Sequence, residues 1–180
     1  TLNTTRDAEG VGGHATLDNG TLDIVLGDGT SVSGTTLATS VGGNLTLTSG
    51  AAAGITDSHT VTVGRNLSAT TDANNGVINL GSLVVEGTIA LATNDAANDD
   101  SAHATVVNNC SLCTDGGLNF ALSTVEGNLT ATATTGNMKQ SGALTIKGAS
   151  TLTTRANNAT IVLDTTTNAF TGAVTITTND

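Results

Sequence analysis

Val41-Gly-Gly-Asn-Leu-Thr-Leu-Thr48 decides the fold, because it comes back along the chain. It returns as Val63-Gly-Arg-Asn-Leu-Ser-Ala-Thr70, Val85-Glu-Gly-Thr-Ile-Ala-Leu-Ala92, Val125-Glu-Gly-Asn-Leu-Thr-Ala-Thr132 and Ile146-Lys-Gly-Ala-Ser-Thr-Leu-Thr153. The first three anchors lie 22 residues apart and the last two 21 apart. Between Val85 and Val125 lie 40 residues, about two periods, with a degenerate copy expected near Val106 or Val107. A second motif precedes some anchors: Gly54-Ile-Thr-Asp-Ser-His-Thr-Val-Thr-Val63 parallels Gly136-Asn-Met-Lys-Gln-Ser-Gly-Ala-Leu-Thr-Ile146.

Within each copy apolar residues alternate, as in Leu22, Ile24 and Leu26, in Leu45 and Leu47, in Leu118, Phe120 and Leu122, and in Val174 and Ile176. That is strand period, and no helical spacing is sustained anywhere. Gly and Asn clusters punctuate the runs as turns do. Strands at this spacing also suit a sandwich or an antiparallel barrel, but a repeat of about twenty residues matches one coil of a solenoid. The expected fold is therefore all-β: a parallel β-helix of about 21–22 residues per coil. Val41, Val63, Val85, Val125 and Ile146 should form one core ladder, with equivalent positions about 4.8 Å apart along the axis.

Three local expectations follow. Asn44, Asn66 and Asn128 should stack as an amide ladder. The anchor glycines should take positive φ at the bends, with Gly64 or Asn66 doing so where Arg65 interrupts. Glu126 and Lys147 should face each other across one coil step, a surface pair worth less than about 1 kcal/mol. The expected organisation is an amino-terminal arm or irregular cap at 1–13 and a solenoid over 14–180, with an irregular loop insertion at 94–117. The chain opens on Thr1 and runs in repeat sequence to Asp180, which reads as a piece of a longer rod or a unit that stacks end to end.

Composition agrees with a thin fold. The 180 residues contain no Pro, Trp or Tyr and two Phe, so the broad aromatic-rich core of a globule is not available. The formal charge of −10, from 15 acidic and 5 basic residues, excludes nucleic acid as a partner, since nothing could displace counterions from phosphates. No apolar run is long enough to insert in a membrane.

The Val-x-Gly-Asn-Leu-Thr-x-Thr units resemble filamentous-haemagglutinin-type repeats, as do Gly54-Ile-Thr-Asp-Ser58 and Asn168-Ala-Phe-Thr-Gly-Ala-Val-Thr-Ile176. The resemblance covers roughly Ser40 to Asp180 and weakens from Asn94 to Gly117. It implies a right-handed parallel β-helix, extracellular or on the cell surface, in a shaft used for adhesion or biofilm structure. The secretion-domain signature of that family contains Pro, which this chain lacks.

Cys110-Ser-Leu-Cys113 supplies two of the four ligands a structural zinc site needs, and His103 would be a third with no fourth. A redox motif would want a helix start. The expectation is a disulfide, which requires a turn at that point. The acidic stretch holding Asp95, Asp99, Asp100 and His103 reads as a solvated loop or, functionally, as a recognition loop. Its carboxylates suit Ca²⁺ only weakly, because neither the EF-hand nor the nonapeptide pattern is present. No cofactor, metal or catalytic residue is therefore expected.

His14, His59 and His103 have no nucleophile at a telling spacing, and the chain is not expected to be an enzyme. The functional expectation is a passive structural or adhesive rod, with partners in further copies end to end or in surface glycans and matrix. The alternative is an ice- or glycan-binding module, distinguished by whether Thr-x-Thr ranks align on one face. A polysaccharide-acting enzyme, recognised by a groove with converging carboxylates, comes last.

Overall fold

The computed structural model describes residues 39–51, 53–71, 76–95, 101–111, 113 and 117–180, with short strands at 3–4, 15–19, 24–26, 31–32 and 35–36. Parallel strands stack as a β-solenoid of about six turns, and the described residues include no helix. Two sheets carry the stack. The first includes Thr39–Val41, Val61–Val63, Ile78–Val85, Ala104–Asn108, Leu129–Ala133, Ser150–Asn157 and Val174–Asn179. The second includes Leu45–Ser49, Leu67–Thr71, Ile89–Ala92, Leu118–Phe120, Ser123–Val125 and Leu144–Ile146. Among the described residues the one antiparallel pair is a small hairpin, Ser31–Val32 with Thr35–Thr36, outside both sheets.

Alternation sets the core. In Leu45–Ser49, Leu67–Thr71 and Ala104–Asn108 every other residue is buried. Successive coils bring like on like: Leu45 over Leu67 over Ile89, and Ile55 over Ile78 over Ala104. The cluster is built from Val, Leu, Ile and Ala, with Phe120 its largest buried side chain. Each fully buried Leu or Ile contributes about 1.5–3 kcal/mol by leaving water. Many thin layers thus replace one broad interior.

The ladder departs from the sequence expectation. Val41, Val63 and Val85 are direct register partners in the first sheet. Val125 and Ile146 are also partners, and Ile146 continues to Phe170, but these lie in the second sheet. The one expected ladder is therefore two. In the first three copies the motif leads from the first sheet around a corner into the second. In the last two it leads from the second sheet into the first.

The corner chemistry also differs from expectation. Asn44 Oδ1 accepts from the backbone N–H of Asn66 at 3.1 Å, and Asn66 Oδ1 accepts from Thr88 N–H at 2.9 Å. Asn128 Oδ1 accepts from Ala149 N–H at 2.7 Å. The side chains bond to the backbone of the next coil, so the expected amide-to-amide ladder is corrected. The anchor glycines serve these bonds sterically. A β-carbon on Gly87 would lie 2.3 Å from Asn66 Oδ1, and one on Gly148 would lie 2.4 Å from Asn128 Oδ1. Positive φ among the described residues belongs instead to Gly54 (76°), Gly136 (66°) and Asn158 (58°). Gly54 and Gly136 open the second motif. Lys147 Nζ pairs with Glu126 across one coil step.

Of residues 1–13, Asn3–Thr4 form a strand parallel to Ser40 and Val41. The stretch 94–117 is not irregular throughout, because Ala104–Asn108 pairs in parallel with strands on both sides. The repeat hidden near Val106 is thus a full rung.

Candidate functional site

The repeat changes phase between Ala92 and Val125, and the most individual chemistry of the chain gathers there. Along the second sheet the register offset is 22 residues from Leu45 to Leu67 and from Leu67 to Ile89. Between Ile89 and Phe120 it grows to 31, and it returns to 21 between Ser123 and Leu144. Backbone groups at such a slip lose their ladder partners, and a buried orphan costs about 1–3 kcal/mol. Three buried polar side chains supply the missing bonds.

Asn108 is 1% exposed and acts as an extra peptide unit. Its Oδ1 accepts from Val85 N–H at 2.9 Å, while its Nδ2 donates to Val85 O at 3.1 Å and Gly117 O at 2.7 Å. Ser123 Oγ accepts from Leu91 N–H and donates to Ala121 O. Thr93 Oγ1 donates to Ala102 O at 2.7 Å and accepts from Glu126 N–H at 2.9 Å. Sequence reasoning passed over all three, since a single inward polar residue carries no periodic signal.

Cys110 and Cys113 are joined by a disulfide, with Cα atoms 5.6 Å apart, across a turn at Ser111. It sits where the chain leaves Ala104–Asn108. The Cys113 sulfur lies 3.2 Å from Val85 O, and Cys110 O accepts from Thr135 Oγ1 at 2.8 Å. The bridge therefore shapes the exit of the phase change and touches the coils on both sides.

Of the four residues expected to form a recognition loop, Asp95 and His103 are described. Asp95 is 4% exposed, so it is part of the interior and not a presented carboxylate. Asp99 and Asp100 lie outside the described residues. His103 is a corner residue: its Nδ1 accepts from Asn128 N–H at 2.9 Å. That is the bond Asn44 and Asn66 make elsewhere, so the imidazole takes the place of an amide. Among the described residues no cluster of His, Cys, Asp or Glu could hold a metal ion.

Beside the slip, a shallow cavity of about 430 Å³ opens over Ala92, between Thr70, Thr124, Asn94 and Glu126. Its floor is low because Ala92 interrupts an outward rank whose register neighbours are Thr70 and Thr124. The walls offer hydroxyls, an amide and a carboxylate already engaged by Lys147. This set can hydrogen-bond a polar surface, and it contains no nucleophile activated by a base.

The outer face of the first sheet is more regular. Thr56, Asn79, Thr105, Thr130, Thr151 and Thr175 are consecutive register partners over six coils. Two residues along each strand, Val107, Thr132, Thr153 and Thr177 form a second rank.

Comparison with known families finds a match to a model described as "Repeats of unknown function (DUF5649)", over residues 107–177. Neither the curated proteins nor the solved structures yield a match. The matched stretch begins inside the phase change and runs through the coils beyond it, so similarity and geometry agree that the chain is a repeat protein.

Proposed function

We propose that the chain is a segment of an extracellular, passive rod that gives reach and stiffness to a bacterial surface or secreted filament and offers an adhesive side. The observation that carries this reading is the continuous axial hydrogen bonding: each coil is held to the next by parallel ladders and by corner Asn side chains. Such a stack resists extension along its axis because backbone bonds must break coil by coil. The Cys110–Cys113 disulfide is in keeping with an oxidising, extracellular compartment. The resemblance to haemagglutinin-type shafts points the same way.

Partners of a rod would meet its sides or its ends. Val174 and Ile176 occupy inward positions over Ser150 and Leu152 yet are 45% and 58% exposed. A further coil, of a longer chain or of another copy apposed end-on, would cover them, and sheet edges of this kind readily accept added strands. The cavity over Ala92, lined by hydroxyls, an amide and a carboxylate, suits contacts to glycans or matrix polymers.

Optical-tweezers pulling through the two termini tests the mechanical part, with stepwise rupture of single coils as the expected trace. Adhesion is read by retention of beads coated with the chain on matrix proteins and glycan arrays. One-step unfolding at low force, together with no retention on any surface, would sink the reading.

A further inference from the structure

We propose that the outer face of the first sheet binds ice through its two-dimensional array of threonine side chains. This does not rest on the rod reading, since an ice-binding face needs only a rigid, repeating surface.

Two groups stand apart among the described threonine hydroxyls. Those at corners and strand ends are used internally: Thr71 donates to Gly76 O, Thr93 to Ala102 O, Thr134 to Asn108 O and Thr135 to Cys110 O. Thr130, Thr132, Thr151, Thr153, Thr175 and Thr177 make no such bond to any described residue. Thr132 is the telling member. Leu129, Ala131 and Ala133 point into the core, so Thr132 points outward, and it is only 7% exposed. Its hydroxyl bonds to no described residue and is left to whatever covers the face. A hydroxyl with no protein partner, on a side chain held this closely, bonds to water or to a ligand that supplies the partner.

β-propensity alone accounts for threonine on an exposed strand. It would equally admit Ile, Tyr, Phe or Trp. None of these enters the two ranks from Thr105 to Thr175 and from Val107 to Thr177, where every position but Val107 is Thr. The second sheet is less uniform, with Ala90, Ala92 and Ala169 interrupting its outward positions.

Spacing decides the occupant. Register partners repeat about 4.8 Å apart, and alternate residues on one strand about 6.7 Å apart. Water molecules joined by hydrogen bonds of about 2.75 Å in tetrahedral array have second neighbours about 4.5 Å apart and an axial repeat of about 7.3 Å. The misfit is about 0.3 Å per coil, near 1 Å over four coils, and about 0.6 Å across the two ranks. Each is well under half a water diameter, so ordered water on the threonines can continue into a lattice. Crystalline polysaccharide is the less suited surface. Its flat sugar faces are commonly bound by aromatic stacking, and the chain has no Trp or Tyr.

The test is partition into slowly grown ice. The purified chain is frozen onto a cold finger beside an inert fluorescent protein, and both are measured in ice and residual liquid. The chain should be enriched in the ice at least tenfold over the inert protein and should arrest growth of single crystals within a measurable temperature gap. Thr130→Lys with Thr151→Lys should abolish both effects while leaving the circular dichroism unchanged. Thr145→Lys, on the second sheet, should retain them. Exclusion of the unmodified chain from ice, or equal partition of the Thr130/Thr151 variant, overturns the proposal. Retention on crystalline cellulose or chitin with rejection by ice overturns it equally.

Discussion

Asn66 reaches into the space that a β-carbon on residue 87 would fill: its Oδ1 accepts from Thr88 N–H at 2.9 Å and would stand 2.3 Å from that carbon. The Val-x-Gly-Asn motif is therefore reciprocal between coils. Glycine in one coil makes room for asparagine from the coil before it, and that asparagine satisfies the next corner.

Asn66→Ala should cost about 1–2 kcal/mol, because a corner N–H loses its acceptor at a partly solvated site. Gly87→Ala should cost more, because the new carbon would also lie 2.7 Å from Arg65 O, a backbone atom that cannot swing away. The double variant should be less destabilised than the sum of the two, but only in part, since the Arg65 clash persists. Urea melts of the four proteins measure this coupling. Strict additivity would show that the two residues do not share the space.

At the equivalent corner His103 does the work of an asparagine, accepting from Asn128 N–H through Nδ1. His103→Asn places Oδ1 at the same remove from the backbone and should leave the melting temperature within about 2 °C of the parent. His103→Ala removes the acceptor and should lower stability by about 1 kcal/mol. Differential scanning calorimetry separates the two. Equal losses in both variants would mean that the imidazole matters for its ring packing and not for its acceptor.

Much of this architecture was open to reading from the sequence, and the part that was not has a definite cause. Alternation in Leu45–Ser49 and its 22-residue return at Leu67 dictated parallel coils, because only stacked coils bury the same positions at a fixed interval. The motif at Val125 looks like the motif at Val85, yet it turns a different corner. A strand–Gly–Asn–strand sequence encodes a bend and says nothing of which of several similar bends it makes. That choice is set by the residues between Ala92 and Val125. There Thr93, Asn108 and Ser123 satisfy the backbone at a slip that no period announces. The places of Asp95 and His103 were hidden for a related reason: both look solvated by composition, but the slip draws one inward and makes the other a corner.

The disulfide should matter for the shape of the slip more than for global stability. Closing so short a loop restricts the unfolded chain by only about 2 kcal/mol, near the bottom of the usual range. Cys110→Ser with Cys113→Ser should therefore fold, with a melting temperature a few degrees lower. Faster amide hydrogen exchange should be confined to Asn109, Cys113 and the Thr134–Thr135 corner that contacts them. Loss of protection throughout Leu129–Ala133 would instead make the bridge essential to the stack.

Asn108 should be the least replaceable polar residue of the described chain. Its amide bonds both backbone groups of Val85, the last valine of the Val41–Val63–Val85 ladder, and the carbonyl of Gly117. Asn108→Asp keeps the shape and the Val85 N–H acceptor but turns two donated bonds into carboxylate facing carbonyl oxygens. Asn108→Leu keeps the branching and the number of side-chain heavy atoms, is somewhat bulkier, and loses all three bonds. With a buried orphan costing about 1–3 kcal/mol, Leu should destabilise by about 3 kcal/mol or more. Asp should do so by at least as much at neutral pH and should recover part of the loss in acid, where a protonated carboxyl can donate to one carbonyl. Denaturant melts at pH 4 and pH 7 measure both effects. If the Leu variant proved as stable as the parent, the slip would be held by packing alone, and the side-chain amide would not be what lets this solenoid change phase.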